Sequence, residues 1–352
     1  FINKRIKLIM AYTTINKSTD YFNTKLYTGN GSTNHAITGV GFQPDLNWTK
    51  ARTDTDAHTL TDAVRGATKY IESSATSAEA TNTEFLKSFD SDGFTLGNNA
   101  RLNYNNYTYV SWNWKAGGAS TTTPSGGTIA TTVSANTTAG FSIFTYTGSG
   151  NAAHLAHGLG VAPTLVLIKG RSNTDNWFMK HPSLNANQYL YLNDTASVRS
   201  GNNVWNNTNP DATKIYVGTD GGVNGSGTTY VGYAFAEKTG YSKFGKYTGN
   251  GNNDGAFIYT GFKPAWLMIK RTDTTDNWLV YDNKRLGYNP NNSFVEANSN
   301  SAESASDRLD ILSNGFKPRY DWTPINASGG TYVYMAFGQS LVGTNNIPAT
   351  AR

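Results

Sequence analysis

Hydrophobic residues along this chain fall into short segments of two kinds. Some alternate with polar residues; others form brief unbroken runs. Clusters of Gly, Asn, Asp, Ser and Thr stand between them. Alternation with a period of two sends successive side chains to opposite faces of a strand. Turn-forming clusters between such segments predict an antiparallel β protein. Leu165-Val166-Leu167-Ile168 reads as a strand covered on both faces. In Thr331-Tyr332-Val333-Tyr334-Met335-Ala336-Phe337, one face carries Tyr332, Tyr334 and Ala336 and the other Val333, Met335 and Phe337. Such a strand belongs in the middle of a sheet, between covered surfaces.

The pattern is written three times. Tyr-Thr-Gly-x-Gly occurs at Tyr27, Tyr146 and Tyr247. Gly-x-x-Pro followed by a strand occurs at Gly41, Gly160 and Gly261, with Lys50, Lys169 and Lys270 near the strand end. Arg52, Arg171 and Arg271 follow, then Trp177 and Trp278 in the later copies, with His58 near the corresponding place in the first. The aromatic strand closes each copy at Tyr107–Trp114, Thr229–Phe235 and Thr331–Phe337. The spacing is about 119 and then about 101 residues, a domain-sized period rather than a solenoid-sized one. The expected fold is all-β: three tandem antiparallel β-sandwiches of jelly-roll or lectin-like type, at 24–118, 141–238 and 241–338.

Between and around these units the composition shifts. Residues 1–23 form a polar lead-in, an edge strand or an attachment segment. Residues 119–140 lie in a Gly/Thr/Ser-rich stretch that reads as a linker, or as a linker with Ile129 to Val133 paired to the second unit. The Ala/Ser/Glu tract ending at Thr81 suits one short helical turn. Asp92-Gly93 and Asn314-Gly315 specify hairpins. Residues 339–352 form a polar tail.

The chain has no cysteine, so disulfides and thiolate metal sites are excluded. No run approaches the roughly 20 apolar residues that span a bilayer as a helix. The formal net charge of +5 owes three of its charges to Lys4, Arg5 and Lys7. We expect translation to begin at Met10, with residues 1–9 an upstream leader; without it the chain is close to neutral. That removes the electrostatic argument for a nucleic-acid partner.

Candidate chemistry concentrates at the hairpin tips. Asp54, Asp56 and His58 form the first, Asn173, Asp175, Asn176 and Trp177 the second, and Asp273, Asp276, Asn277 and Trp278 the third. Carboxylates and amides beside an aromatic ring suit sugar hydroxyls and an apolar sugar face. The competing reading is turn chemistry, with the Trp packed inside. Two carboxylates at Asp54 and Asp56 fall short of the roughly six to eight oxygens calcium takes. His154 and His157 have no third ligand nearby. No metal or cofactor is expected. The basic strand ends suit either an anionic glycan or a solvated edge that blocks aggregation. No catalytic signature appears: no Gly-x-Ser-x-Gly elbow, no phosphate loop and no clustered carboxylate pair.

Taken together, Tyr-Thr-Gly-Asn-Gly, Gly-Phe-x-Pro with its Ile-Lys-x-Arg strand, Ser-Asp-Gly-Phe-Thr-Leu-Gly and Gly-x-Thr-Tyr-Val-x-x-x-Phe resemble a family of repeat domains in structural proteins of marine bacteriophages. That family is similar to concanavalin-type lectin/glucanase sandwiches. Met10-Ala11-Tyr12-Thr13-Thr14-Ile15 and Asp62-Ala63-Val64-Arg65-Gly66-Ala67-Thr68-Lys69-Tyr70 fit it, whereas Asn47 and Thr49 replace apolar residues common in that strand. The resemblance implies a virion surface protein, a tail-fibre-like or head-decorating adhesin. Its partners would be other virion proteins, host surface glycans and further copies of itself in a homo-oligomer. It transfers no catalytic or binding residues. A purely structural spacer is the alternative, and a glycan-degrading enzyme a more distant one.

Overall fold

The computed structural model describes residues 13–118, 121–122, 127–285, 287–340 and 350. The expected start at Met10 and most of the tail lie outside the described residues. Alternation and turn chemistry give an all-β chain of several antiparallel sheets. Three main sheets share one strand order. The Tyr-Thr-Gly strands, Phe22–Thr28, Phe141–Thr147 and Ser242–Thr248, pair with the aromatic strands Thr108–Trp114, Thr229–Phe235 and Thr331–Ser340. Those in turn pair with Leu46–Ala51, Leu165–Gly170 and Phe262–Arg271. The strands that are apolar on both faces are thus the interior ones. Thr131–Asn136 adds to the edge of the second sheet by pairing with Phe141–Thr147.

The repeated Tyr and Gly residues serve one local device. Tyr27, Tyr146 and Tyr247 stack on Tyr109, Tyr230 and Tyr332, each with ring centroids 4.9 Å apart. Each stacked pair points its hydroxyls at a helical turn: Ala100–Asn103, Gly221–Asn224 or Thr323–Asn326. Tyr109 donates to Ala100 O (2.9 Å) and Tyr332 to Thr323 O (2.7 Å). The last residue of each turn, Asn103, Asn224 or Asn326, is wholly buried and accepts a backbone N–H from the Tyr-Thr-Gly-x-Gly loop. The loop and turn meet so closely that a Cβ on Gly29, Gly148 or Gly249 would lie 2.2–2.3 Å from a carbonyl oxygen. Only Gly fits such an approach.

Each main sheet buries one face against a smaller sheet. His35–Thr38 with Gly93–Leu96 covers the first, Ala153–Ala156 with Lys214–Val217 the second, and Ile258–Tyr259 with Gly315–Pro318 the third. Asn47 and Thr49, which stand in place of apolar residues, are buried in a polar ladder. Asn47 donates to Asn113 Oδ1 (2.9 Å) and Thr49 to Asn47 Oδ1 (2.7 Å). Their polar atoms are therefore partnered, as burial demands.

The opposite faces of all three main sheets meet in one shared core. Trp48, Trp112 and Trp114 from the first, Leu167, Trp177 and Tyr233 from the second, and Trp266, Trp278 and Phe337 from the third are among its members. The tract at Glu72 to Thr81 is not helical. Ala80–Thr81 pairs instead with Lys69–Tyr70, and Glu72 is drawn away by an ion pair with Arg101.

Candidate functional site

The hairpin tips divide into exposed turns and buried rings. Asp54 Oδ1, Asp175 Oδ1 and Asp276 Oδ1 each accept the next residue's N–H, at 2.6, 2.7 and 3.0 Å. Each is a local side-chain-to-backbone bond that shapes its own turn. Asn176 and Asn277 are half-buried and paired with Asn193 and Asn298. Asp56 is half-buried at the same tip as Asp54, and Asp273 binds Arg271. His58, Trp177 and Trp278 are 0%, 0% and 2% exposed. This corrects the expectation that these rings cover a sugar: no face is open to one. Each is held instead between two main sheets.

The holding contacts are cyclic. Trp177 Nε1 donates to Glu72 O (2.8 Å), from the second sheet to the first unit. Trp278 Nε1 donates to Tyr191 O (2.9 Å), from the third to the second. His58 completes the circle by meeting Glu296 O at 3.0 Å, from the first to the third. Indole is a donor only, and Trp48 Nε1 donates to His58 Nδ1 (2.9 Å). His58 therefore carries its proton on Nε2, which donates to Glu296 O. Burial, and next the charge of Lys50, hold its pKa well below the usual range.

Backbone contacts repeat the circle. Glu79 N donates to Arg171 O, Glu303 N to Arg52 O and Val198 N to Thr272 O, at 2.8–2.9 Å. At two junctions a buried ionic chain reinforces them. Arg171 binds Glu79 through two bonds of 2.9 Å; Glu79 also receives Arg65, which is paired with Asp62, and Asp62 accepts Tyr233 OH (2.7 Å). Arg52 binds Glu303 at 2.9 and 2.8 Å; Glu303 also receives Arg285, paired with Asp282, and Asp282 accepts Trp112 Nε1 (3.0 Å). Burial alone would raise the Asp282 carboxyl, but Arg285 and the hydrogen bonds to it outweigh burial and lower its pKa.

The third junction differs. By strand register, Thr272 rather than Arg271 occupies the place of Arg52 and Arg171. The expected equivalence of Arg271 is corrected by one residue; Arg271 instead pairs with Asp273 in its own tip. His181, Leu184 and Val198 stand where the first copy has Asp62, Arg65 and Glu79. His181 Nε2 reaches Tyr334 O at 3.1 Å, and burial lowers its pKa to about 4. This junction joins the two units that the chain itself connects most directly, through Ala236 to Tyr241.

Lys50, Lys169 and Lys270 are buried, and each donates to backbone carbonyls: Lys50 to Ala51 O and Asp54 O, Lys169 to Gly170 O, Lys270 to Thr195 O and Arg271 O. They are neither solvated edges nor anion sites. Burial brings each pKa down to about 8. His157 is buried with Nε2 on Asp211 O (3.1 Å), while His154 Nδ1 accepts from Thr128 N. Among the described residues no group of three His, Cys, Asp or Glu could hold a metal ion. A shallow cleft of about 520 Å³ at the foot of the first sheet is lined by Gln43, Asp45, Lys115 and Asn136 among others, with Asp45 the one carboxylate in its described lining.

The junction residues had a signal in the sequence. Asp-x-x-Arg at Asp62 and Asp282 recurs at the repeat spacing, with His181-x-x-Leu184 between. Glu79 and Glu303 had none, since they lie in loops of unequal length.

One family matches residues 17–340, a span that takes in all three copies. The chain belongs to the family described as a domain of unknown function, DUF7483. The DUF7483 match treats the three copies as one unit, as the cyclic contacts do. No curated protein and no solved structure matches the chain.

Proposed function

We propose that this chain is a non-catalytic surface component of a bacteriophage particle, built as three tandem β-sandwiches and serving as a head-decorating or tail-fibre-like module. The observation that supports this most directly is the use of the repeated side chains. Trp177, Trp278, His58, Arg52, Arg171, Glu79 and Glu303 are spent on holding three sheets to one another. A body closed in this way resists shear, as a particle exterior must. The motif resemblance to phage structural proteins supplies the particle. Recognition of host glycans, in this reading, falls to tips outside the junctions.

The test is location. Antibody raised against the chain should label purified particles, and quantitative mass spectrometry of those particles should recover the chain at a fixed ratio to the capsid protein. Its absence from washed particles would sink the proposal.

A further inference from the structure

The turn that leads into the aromatic strand is built alike in all three copies but dressed differently in the first. Its hydrogen bonds match: Tyr107 N donates to Tyr104 O, Thr228 N to Gly225 O and Gly330 N to Ala327 O, at 3.0–3.1 Å. Asn106 N, Gly227 N and Gly329 N likewise reach Gly29 O, Gly148 O and Gly249 O, at 2.9–3.0 Å. Asn106, Gly227 and Gly329 share a left-handed φ of 65°, 74° and 71°. The second and third copies make this turn from Gly225-Ser226-Gly227-Thr228 and Ala327-Ser328-Gly329-Gly330. The first uses Tyr104-Asn105-Asn106-Tyr107. The fold therefore asks for small residues here, and the two rings answer some other demand.

Their setting indicates which. Tyr104 is 50% exposed, and its ring lies 4.5 Å from that of Tyr107 between centroids, tilted by 56°. Asn105 and Asn106 are exposed beside them. The Asp54 tip lies against this turn, since Thr108 N donates to Thr53 Oγ1 (3.3 Å) and Arg52 N to Thr108 O (2.8 Å); the Asp54 charge, ahead of burial, accordingly raises the Tyr107 phenol's pKa. Asp56 acts on Tyr107 in the same direction. The site thus combines an open ring face, two carboxylates and free amides. Carboxylates accept hydrogen bonds and cannot donate them, so the ligand must bring donors. A ring face favours an apolar C–H surface on that same ligand. Two negative charges repel an anionic one.

We propose that the first copy alone carries a glycan-recognition tip, formed by Tyr104, Tyr107, Asp54, Asp56 and Asn105, that takes a neutral or amino hexose. One sugar face lies on Tyr104 while its hydroxyls, or an ammonium, donate to Asp54 and Asp56. The inference rests on the particle-surface reading and names the ligand of that surface.

The experiment uses the intact chain and saturation-transfer NMR with maltotriose, chitotriose, a glucosamine trimer and oligogalacturonate as probes. Binding of a neutral or amino trimer is expected, with none of the uronate. Tyr104→Gly combined with Tyr107→Thr installs the residues of the second copy in an unchanged turn. It should leave the thermal midpoint in place and weaken binding at least tenfold; Asp54→Asn with Asp56→Asn should do likewise. Binding unchanged in the tyrosine variant, binding of the uronate alone, a cationic lysine peptide bound in place of every sugar, or no binding of any trimer each overturns the inference. Particle labelling of the same tyrosine variant keeps the two ideas apart, since loss of sugar with label retained leaves the surface role standing.

Discussion

Arg52 grips Glu303 through both a terminal and an internal guanidinium nitrogen, at 2.8 and 2.9 Å, and so fastens the first main sheet to the third. Glu303 also faces Arg285, whose side chain is wholly buried. Glu303→Ala takes a carboxylate from two arginines at once, Arg52 and the buried Arg285, although Arg285 keeps Asp282, and should cost about 1–3 kcal/mol. Arg52→Ala, which leaves Arg285 both of its carboxylates, should cost less. Urea unfolding of both variants gives the comparison; equal losses would show that Glu303 does not serve Arg285.

The indole donors predict a second effect. Trp177→Phe and Trp278→Phe keep a ring but leave Glu72 O and Tyr191 O without their donors. Each should lower stability by about 1–3 kcal/mol. Differential scanning calorimetry would register this as a lower midpoint. Neither variant should change sugar binding in its folded state, because neither ring reaches solvent.

One junction can be rewritten as another. Asp62→His, Arg65→Leu, Glu79→Val, Arg171→Thr and Tyr233→Met together reproduce the residues of the junction between the second and third sheets. Replacing a whole buried ion network by apolar groups is often neutral, whereas removing one member costs about 3–5 kcal/mol. The fivefold variant should thus be more stable than Asp62→Ala alone. If it proves less stable, the junctions are not interchangeable.

Stability should climb between pH 8 and 10. Lys50, Lys169 and Lys270 have folded pKa values brought down to about 8 by burial. In that window the unfolded chain holds more protons than the folded one, so raising the pH favours folding. Above about 10 the sign reverses, because Tyr27, Tyr146 and Tyr247 are raised by burial and the unfolded chain loses its phenolic protons first. On the acid side, buried neutral His58 and His181 must be charged on unfolding, so stability should fall as pH drops below about 6.5. Urea midpoints from pH 4 to 11 test all three limbs; a flat profile from 8 to 10 would contradict the lysine assignment.

Much of the architecture was legible in particular residues. Tyr332 to Phe337, apolar on both faces, announced an interior strand, and the Tyr-Thr-Gly loops announced their own recurrence. The alignment of His58 with Trp177 and Trp278 was visible too, but not its meaning. Their acceptors are the carbonyls of Glu296, Glu72 and Tyr191, and a backbone carbonyl leaves no mark in a sequence. Gly221-Gly222-Val223-Asn224 forms a helical turn that intrinsic propensity disfavours; Tyr230 and Asp220 hold it from outside. The tract before Thr81 failed as a helix for the converse reason, since Glu72 and Glu79 are claimed by arginines elsewhere. At the tips, Asp54, Asp175 and Asp276 were legible as turn formers, but the burial of the neighbouring His58, Trp177 and Trp278 was not, since it depends on the sheets that close over them.

The circle of contacts also sets a timetable for synthesis. Glu303 emerges from the ribosome 251 residues after Arg52, a delay on the order of ten seconds or more at ordinary elongation rates. Until then the tryptophan-bearing face of the first sheet has no third sheet to rest on. A nascent chain in that state is a client for a chaperone, and a truncated product missing its last copy would be sticky rather than merely short.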